Sequence, residues 1–132
     1  MANLWFTLAV CAISLVTLSR ADDDLKFVKA ICAKNNDNLL KDLALCEDSF
    51  GSDNKQRVAK ICYARVAPET GGDTFEFSKR VCKDLSLLEA GQACFEEHNQ
   101  RPDEFKDLEK GSACVFTAFL KNGAMDLLGI GF

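Results

Sequence analysis

Six widely spaced cysteines are the residues in this chain most able to do chemistry. The sequence contains seven cysteines, of which all but Cys11 follow residue 21. Side chains of this type can form disulfides or ligate a metal ion, and the two uses call for different spacing. The six positions are Cys32, Cys46, Cys62, Cys82, Cys94 and Cys114.

The spacing of these cysteines favours disulfides over a metal centre. The chain has no Cys-x-x-Cys pair, and its single histidine, His98, follows Cys94 by four residues without another ligand close in sequence. Zinc ligands usually occur in close pairs. The sequence therefore predicts three disulfides, no metal ion and no cofactor.

The amino-terminal segment has the features of a secretory signal peptide. Residues 4–18 are almost wholly apolar, and small residues flank Arg20 before the acidic run 22–24. An apolar stretch of this length falls short of the roughly 20 residues that span a bilayer. We therefore predict a signal peptide at 1–21, a single helical domain at 22–132, and a secreted, extracellular protein without a membrane span. Cleavage would remove Cys11 and leave an even number of cysteines.

Charge excludes some classes of partner. Without Arg20, 15 basic residues face 20 acidic ones, which gives a formal charge of −5. No cluster of lysine and arginine occurs in the sequence. Nucleic acid and anionic membrane surfaces are therefore not expected as partners.

No combination of side chains in the sequence suggests catalysis. His98 stands between Glu97 and Asn99, a context typical of a solvated helix end, and no serine has the surroundings of a nucleophile elbow. The acidic pair Asp103-Glu104 consists of neighbours, which point apart on a helix. We therefore predict no catalytic residue and no enzymatic activity.

Apolar residues recur every three or four positions around each of the six cysteines, and no segment shows sustained alternation. The prediction is an all-α protein, a compact bundle of five to six short helices cross-linked by three disulfides. Polar residues suited to helix N-termini mark the later starts. They are Asp37 or Asn38 for the second helix, Asp53 for the third, Asp73 with Glu76 for the fourth, Ser86–Glu89 for the fifth and 101–104 for the last.

A faint internal duplication gives one hypothesis for the disulfide pairing. The segment Lys29–Cys32 parallels Lys79–Cys82, and each is followed by two further cysteines. Six cysteines allow 15 connectivities, and sequence alone does not choose among them. Two half-domains that each tie their first helix to their third would form Cys32–Cys62 and Cys82–Cys114, with Cys46–Cys94 joining the halves.

This pairing order is also that of insect odorant-binding proteins, which the chain resembles. The resemblance covers the general features of the predicted mature chain: it is acidic and secreted, with six helices, six cysteines and an apolar carboxy-terminal tail. The spacing departs from the family, which has short spacers between its second and third and between its last two cysteines, where this chain has 15 and 19 residues. No ligand-contacting residue is carried over from the family.

Phenylalanine is the most abundant aromatic residue, with nine copies after residue 21. In a carrier, some of them would line an apolar pocket between the helices, whereas in the alternative they are ordinary core residues. We favour a secreted, non-enzymatic carrier of a small apolar ligand. The candidate ligand-binding residues are Phe77, Phe95, Phe105, Phe116, Phe119 and Phe132.

A second hypothesis has the same apolar residues contact another secreted protein. The chain would then be a structural or accessory component of a secretion such as venom, silk, glue or saliva, and the apolar tail would dock on the partner. A toxin or inhibitor is the third and least favoured class. In each case we expect a monomer or a weak oligomer.

Overall fold

The computed structural model describes residues 21–101 and 104–129. Within these ranges six α-helices follow one another, and no strand occurs apart from an isolated bridge between Gly51 and Phe105. The predicted all-α class and the number of helices are therefore confirmed. The predicted signal peptide lies outside the described residues except for Ala21.

The helices are α1 (Ala21–Ala33), α2 (Asp37–Phe50), α3 (Asp53–Val66), α4 (Thr74–Lys83), α5 (Ser86–Glu97) and α6 (Leu108–Lys121), with 3₁₀ helices at Pro68–Thr70 and Met125–Gly129.

Side-chain capping marks the start of several helices, although two of the predicted N-cap residues lie one or more positions after the observed ones. Asn36 caps α2 by accepting a hydrogen bond from the backbone N–H of Leu39, and Ser52 caps α3. The predicted cap Asp73 is confirmed, because its carboxylate accepts from the N–H of Glu76. The predicted residues, Asp37 or Asn38 for α2 and Asp53 for α3, instead lie in the first turn of the helix, where an acid is also favoured by the helix dipole.

The fifth helix does not use the predicted capping box. Its N-cap is Leu85, which makes no side-chain capping bond, and the hydroxyl of Ser86 donates to Asp84. This bond, together with the backbone N–H of Ser86, lowers the pKa of the exposed Asp84 carboxyl.

The last helix begins later than predicted, at Leu108 rather than at 101–104. Before it, the N–H of Lys106 donates to the carbonyl of Phe50, the last residue of α2, and the carbonyl of Glu104 accepts from the N–H of Ser52. Residues 102 and 103, inside the predicted start, lie outside the described residues. Asp107 then caps α6 by accepting from the N–H of Lys110. Pairing with a distant segment thus overrides the local helix-start signal at 101–104.

The core lies between helices whose apolar stripes face one another. Tyr63 stacks on Phe77 with ring centroids 4.2 Å apart, and Phe27 meets the edge of Phe119 at 6.2 Å. All four of these rings are buried. Leu127, in the carboxy-terminal 3₁₀ helix, is buried as well, so this part of the apolar tail packs on the domain.

All six predicted disulfide cysteines form disulfides, but the predicted pairing is wrong. The bonds are Cys32–Cys82 between α1 and α4, Cys46–Cys114 between α2 and α6, and Cys62–Cys94 between α3 and α5. The pairs Cys32–Cys62, Cys46–Cys94 and Cys82–Cys114 are not formed. The half-domain hypothesis failed because each of the first three helices packs against one of the last three.

A buried ion pair joins the end of α2 to the start of α3. The ammonium group of Lys55 donates to Oε1 of Glu47, and both residues are 2% exposed or less. The hydroxyl of Tyr63 donates to the same oxygen over 2.8 Å. Among the described residues, Oε2 of Glu47 has no hydrogen-bond partner. Two opposite charges therefore depend on each other inside an apolar core.

None of the helices between residues 21 and 129 combines the length and the apolar character needed to cross a lipid bilayer.

The pairing can be read directly from the intact protein. We expect proteolysis without reduction, followed by mass spectrometry, to release peptides joined as Cys32–Cys82, Cys46–Cys114 and Cys62–Cys94. Recovery of a Cys32–Cys62 peptide as a major product would contradict the structure.

The ion pair predicts an asymmetry between single and double substitutions. Lys55→Met should lower the free energy of unfolding at pH 7 by about 3–5 kcal/mol, because it leaves the Glu47 carboxylate buried without its partner. Combining it with Glu47→Leu should restore part of that loss. Urea denaturation measures both variants, and Lys60→Met, at an exposed site on the same helix, serves as the control with an expected change within about 0.5 kcal/mol. Equal stability of Lys55→Met and Lys60→Met would refute the coupling.

Candidate ligand-binding site

The predicted ligand-binding phenylalanines lie in three different environments. Phe77, Phe95 and Phe119 are at most 1% exposed, and their rings pack on other core aromatics. Phe105 is half-buried, and an added Cβ on Gly111 would lie only 2.6 Å from its ring. Phe116 is 42% exposed on α6, and Phe132 lies outside the described residues. None of the five described rings lines either of the pockets described below, so their role as ligand contacts stays a prediction.

An apolar groove lies between α2 and α6. It has a volume of about 410 Å³ and is open to solvent rather than enclosed. On α2 the lining residues form one row with a spacing of four residues, and on α6 they form two such rows. Residues four apart lie on the same face of a helix, so each row marks one helix face. The lining residues are Asp42, Cys46 and Phe50 from α2, and Lys110, Ala113, Cys114, Thr117, Ala118 and Lys121 from α6.

The two walls run antiparallel and are held together by a covalent bond. Cys46 and Cys114 face each other across the groove as a disulfide. On one side of this bond Lys121 approaches Asp42 to 3.7 Å, and on the other the carbonyl of Phe50 accepts from the N–H of Lys106. The floor is formed by the disulfide and small side chains, and most of the lining surface is apolar.

The charges of the groove are unevenly distributed. At one end Asp42 accepts a hydrogen bond from the Asn122 side chain at 2.9 Å as well as pairing with Lys121. At the other end, the ammonium group of Lys110 forms no ion pair with any described residue. Among the charged lining residues of the groove, Lys110 is therefore the one without an opposite charge paired to it.

Large exposed apolar residues lie beside the groove. Phe116 and Leu120 are one turn apart on α6 and adjoin the lining residues Thr117 and Lys121 in sequence, and Leu120 is 60% exposed. On α2, Leu45 is exposed and precedes Cys46. We call Leu45, Phe116 and Leu120 the apolar rim.

A second pocket, of about 450 Å³, is more polar and lies around the loop before α4. Its charged lining residues are balanced, with Asp48 and Asp73 beside Arg57 and Lys60. Because neither apolar surface nor excess charge distinguishes it, we assign it no ligand.

His98 proves to have neighbours that its sequence context did not reveal. Its ring lies near both sulfurs of the Cys62–Cys94 disulfide, with the three potential ligand atoms within 4.8 Å of one another. Nδ1 of the ring lies 2.9 Å from the carbonyl oxygen of Cys94. Metal ligation by cysteine requires thiolates, and both of these sulfurs are committed to a disulfide. The cluster therefore offers a single free ligand, the imidazole.

The groove could not be predicted from the sequence, because its lining depends on which helices are neighbours. The spacing of Ala113, Thr117 and Ala118 does indicate a face of α6 with small side chains. Only the contact between α2 and α6 turns that face into a groove.

Searches of protein-family models, of curated proteins and of solved structures with this chain returned no match.

Proposed function

We propose that this is an extracellular, non-enzymatic binding protein that carries a small apolar ligand in the groove between α2 and α6. The observation that carries the proposal is the open, mostly apolar groove with the Cys46–Cys114 disulfide in its floor. Three disulfides also suit an oxidising, extracellular environment.

The dimensions of the groove support a small ligand. Sites for small molecules usually have volumes of about 300–1,000 Å³ and apolar linings with a few polar groups. The groove falls within that range and has charged residues at its two ends. Because the disulfide holds the two walls together before a ligand arrives, little ordering would be needed on binding.

The packing of the core phenylalanines also supports this location. Phe77, Phe95 and Phe119 are buried in contact with other core side chains, and none of them lines the groove. The groove and its rim, by contrast, leave apolar surface open to solvent. This replaces the interior pocket expected from the sequence with a site on the surface.

Docking of another secreted protein is a second candidate function, favoured by the apolar rim. Leu45, Phe116 and Leu120 present exposed side chains next to the groove, and apolar surface of this kind is common at contacts between proteins. A partner helix with its own apolar stripe would suit such a surface.

Filling the groove tests the small-ligand proposal. N-phenylnaphthylamine, which fluoresces more strongly in apolar surroundings, should bind saturably at micromolar protein concentration. Ala113→Trp places a bulky ring in the groove and should weaken that binding at least about tenfold, which corresponds to about 1.4 kcal/mol. Ala90→Trp is the matched control because Ala90 is exposed on α5 and is not a lining residue.

The outcomes separate the two candidate functions. Saturable binding that Ala113→Trp weakens and Ala90→Trp preserves supports the carrier. If neither this probe nor a fluorescent fatty acid binds the unsubstituted protein, the carrier is excluded and the apolar rim becomes the better-supported site. Equal loss of binding in both variants would place the site outside the groove.

A further inference from the structure

We infer that the groove selects anionic single-chain amphiphiles, with the head group paired to Lys110 and the alkyl chain lying over the Cys46–Cys114 disulfide. The inference rests on the proposed function, since it names the ligand class of the same groove. It depends on the charge at each end, the apolar floor between the ends and the length of the groove.

The two ends of the groove differ in charge, because only one of them contains an ion pair. Lys121 and Asp42 form an ion pair, so that end is already neutral. Lys110 has no such partner among the described residues, and the nearby carboxylate of Asp107 accepts the N–H that caps α6. A ligand anion would therefore find its counter-ion at Lys110, at the end where Phe50 forms the opposite wall.

The space between the ends suits an alkyl chain. Lys110 and Lys121 are 11 residues apart on one helix, which corresponds to about 16 Å at a rise of 1.5 Å per residue. Along this length the lining includes the disulfide, the buried side chain of Ala118 and the more exposed side chains of Ala113 and Thr117. These groups offer contact area but few hydrogen-bonding atoms, so the middle of the groove favours hydrocarbon over a polar chain.

The lysine also discriminates among head groups. An alkyl ammonium would be repelled by Lys110, and an alcohol would gain no charge pairing. An anionic head would form a charge-assisted hydrogen bond, while the lysine stem could lie along the apolar wall. Since an ammonium acts as a point charge, a carboxylate and a phosphate ester would both satisfy it.

Competition against bound N-phenylnaphthylamine tests the head group. With the purified protein at pH 7 we expect dodecanoate to displace the probe at about fivefold lower concentration than dodecanol, because an exposed ion pair contributes modestly. Dodecylammonium should be the weakest competitor. A comparison with dodecyl phosphate then indicates whether the preferred head is a carboxylate or a phosphate ester, and preference for either anion over the alcohol supports the inference.

Substitution of Lys110 tests whether the preference for anionic ligands depends on this residue. Lys110→Met keeps the stem and removes the charge, so dodecanoate and dodecanol should then displace the probe at about the same concentration, a ratio that does not depend on how tightly the variant binds the probe. Lys110→Glu should weaken dodecanoate further and favour dodecylammonium. Lys60→Met removes an equal charge outside the groove and should preserve the anion preference.

Two results would overturn the inference while leaving the proposed function intact. They are probe binding with no preference for dodecanoate over dodecanol, and an anion preference that survives Lys110→Met. Absence of probe binding by the unsubstituted protein would instead refute the proposed function itself.

Discussion

The Cys46–Cys114 disulfide joins α2 to α6 across 68 residues of sequence. It lies at the centre of the contact between these helices, with Asp42 and Lys121 on one side and the Phe50–Lys106 hydrogen bond on the other. The other two disulfides follow the same rule, because each links one of the first three helices to one of the last three. The two halves of the chain are therefore cross-linked to each other, and no disulfide lies within either half.

This constraint explains why the groove stays open. Two antiparallel helices joined by a disulfide come close at the bond, and the depth of the depression beside it depends on the neighbouring side chains. On α6 these are Ala113, Thr117 and Ala118, which are too small to fill the space. The larger residues Phe116 and Leu120 lie on the adjoining face, where they widen the apolar surface without covering the floor.

Local features of the fold were predictable from the sequence, and the features that depend on distant contacts were not. Three- and four-residue spacing identified the helices, and Asp73 was recognised as a cap because capping involves only adjacent residues. The start of α6 was not predictable from the local pattern, because Glu104 and Lys106 form backbone hydrogen bonds with Ser52 and Phe50, which are distant in sequence. The cysteine pairing and the groove both depend on helix neighbours, about which a periodic pattern carries no information.

The phenylalanines show why the candidate site could not be found by counting apolar residues. The nine phenylalanines after residue 21 were compatible with either a pocket lining or a core, and the rings of Phe77, Phe95 and Phe119 are buried in the core. The chain-entropy model assigns each bridge about 4 kcal/mol for loops of 32 to 68 residues. Stabilisation on that scale reduces the need to bury every large side chain. Leu45, Phe116 and Leu120 can then remain exposed beside the groove, so that cross-linking stabilises the fold while part of the apolar surface stays in contact with solvent.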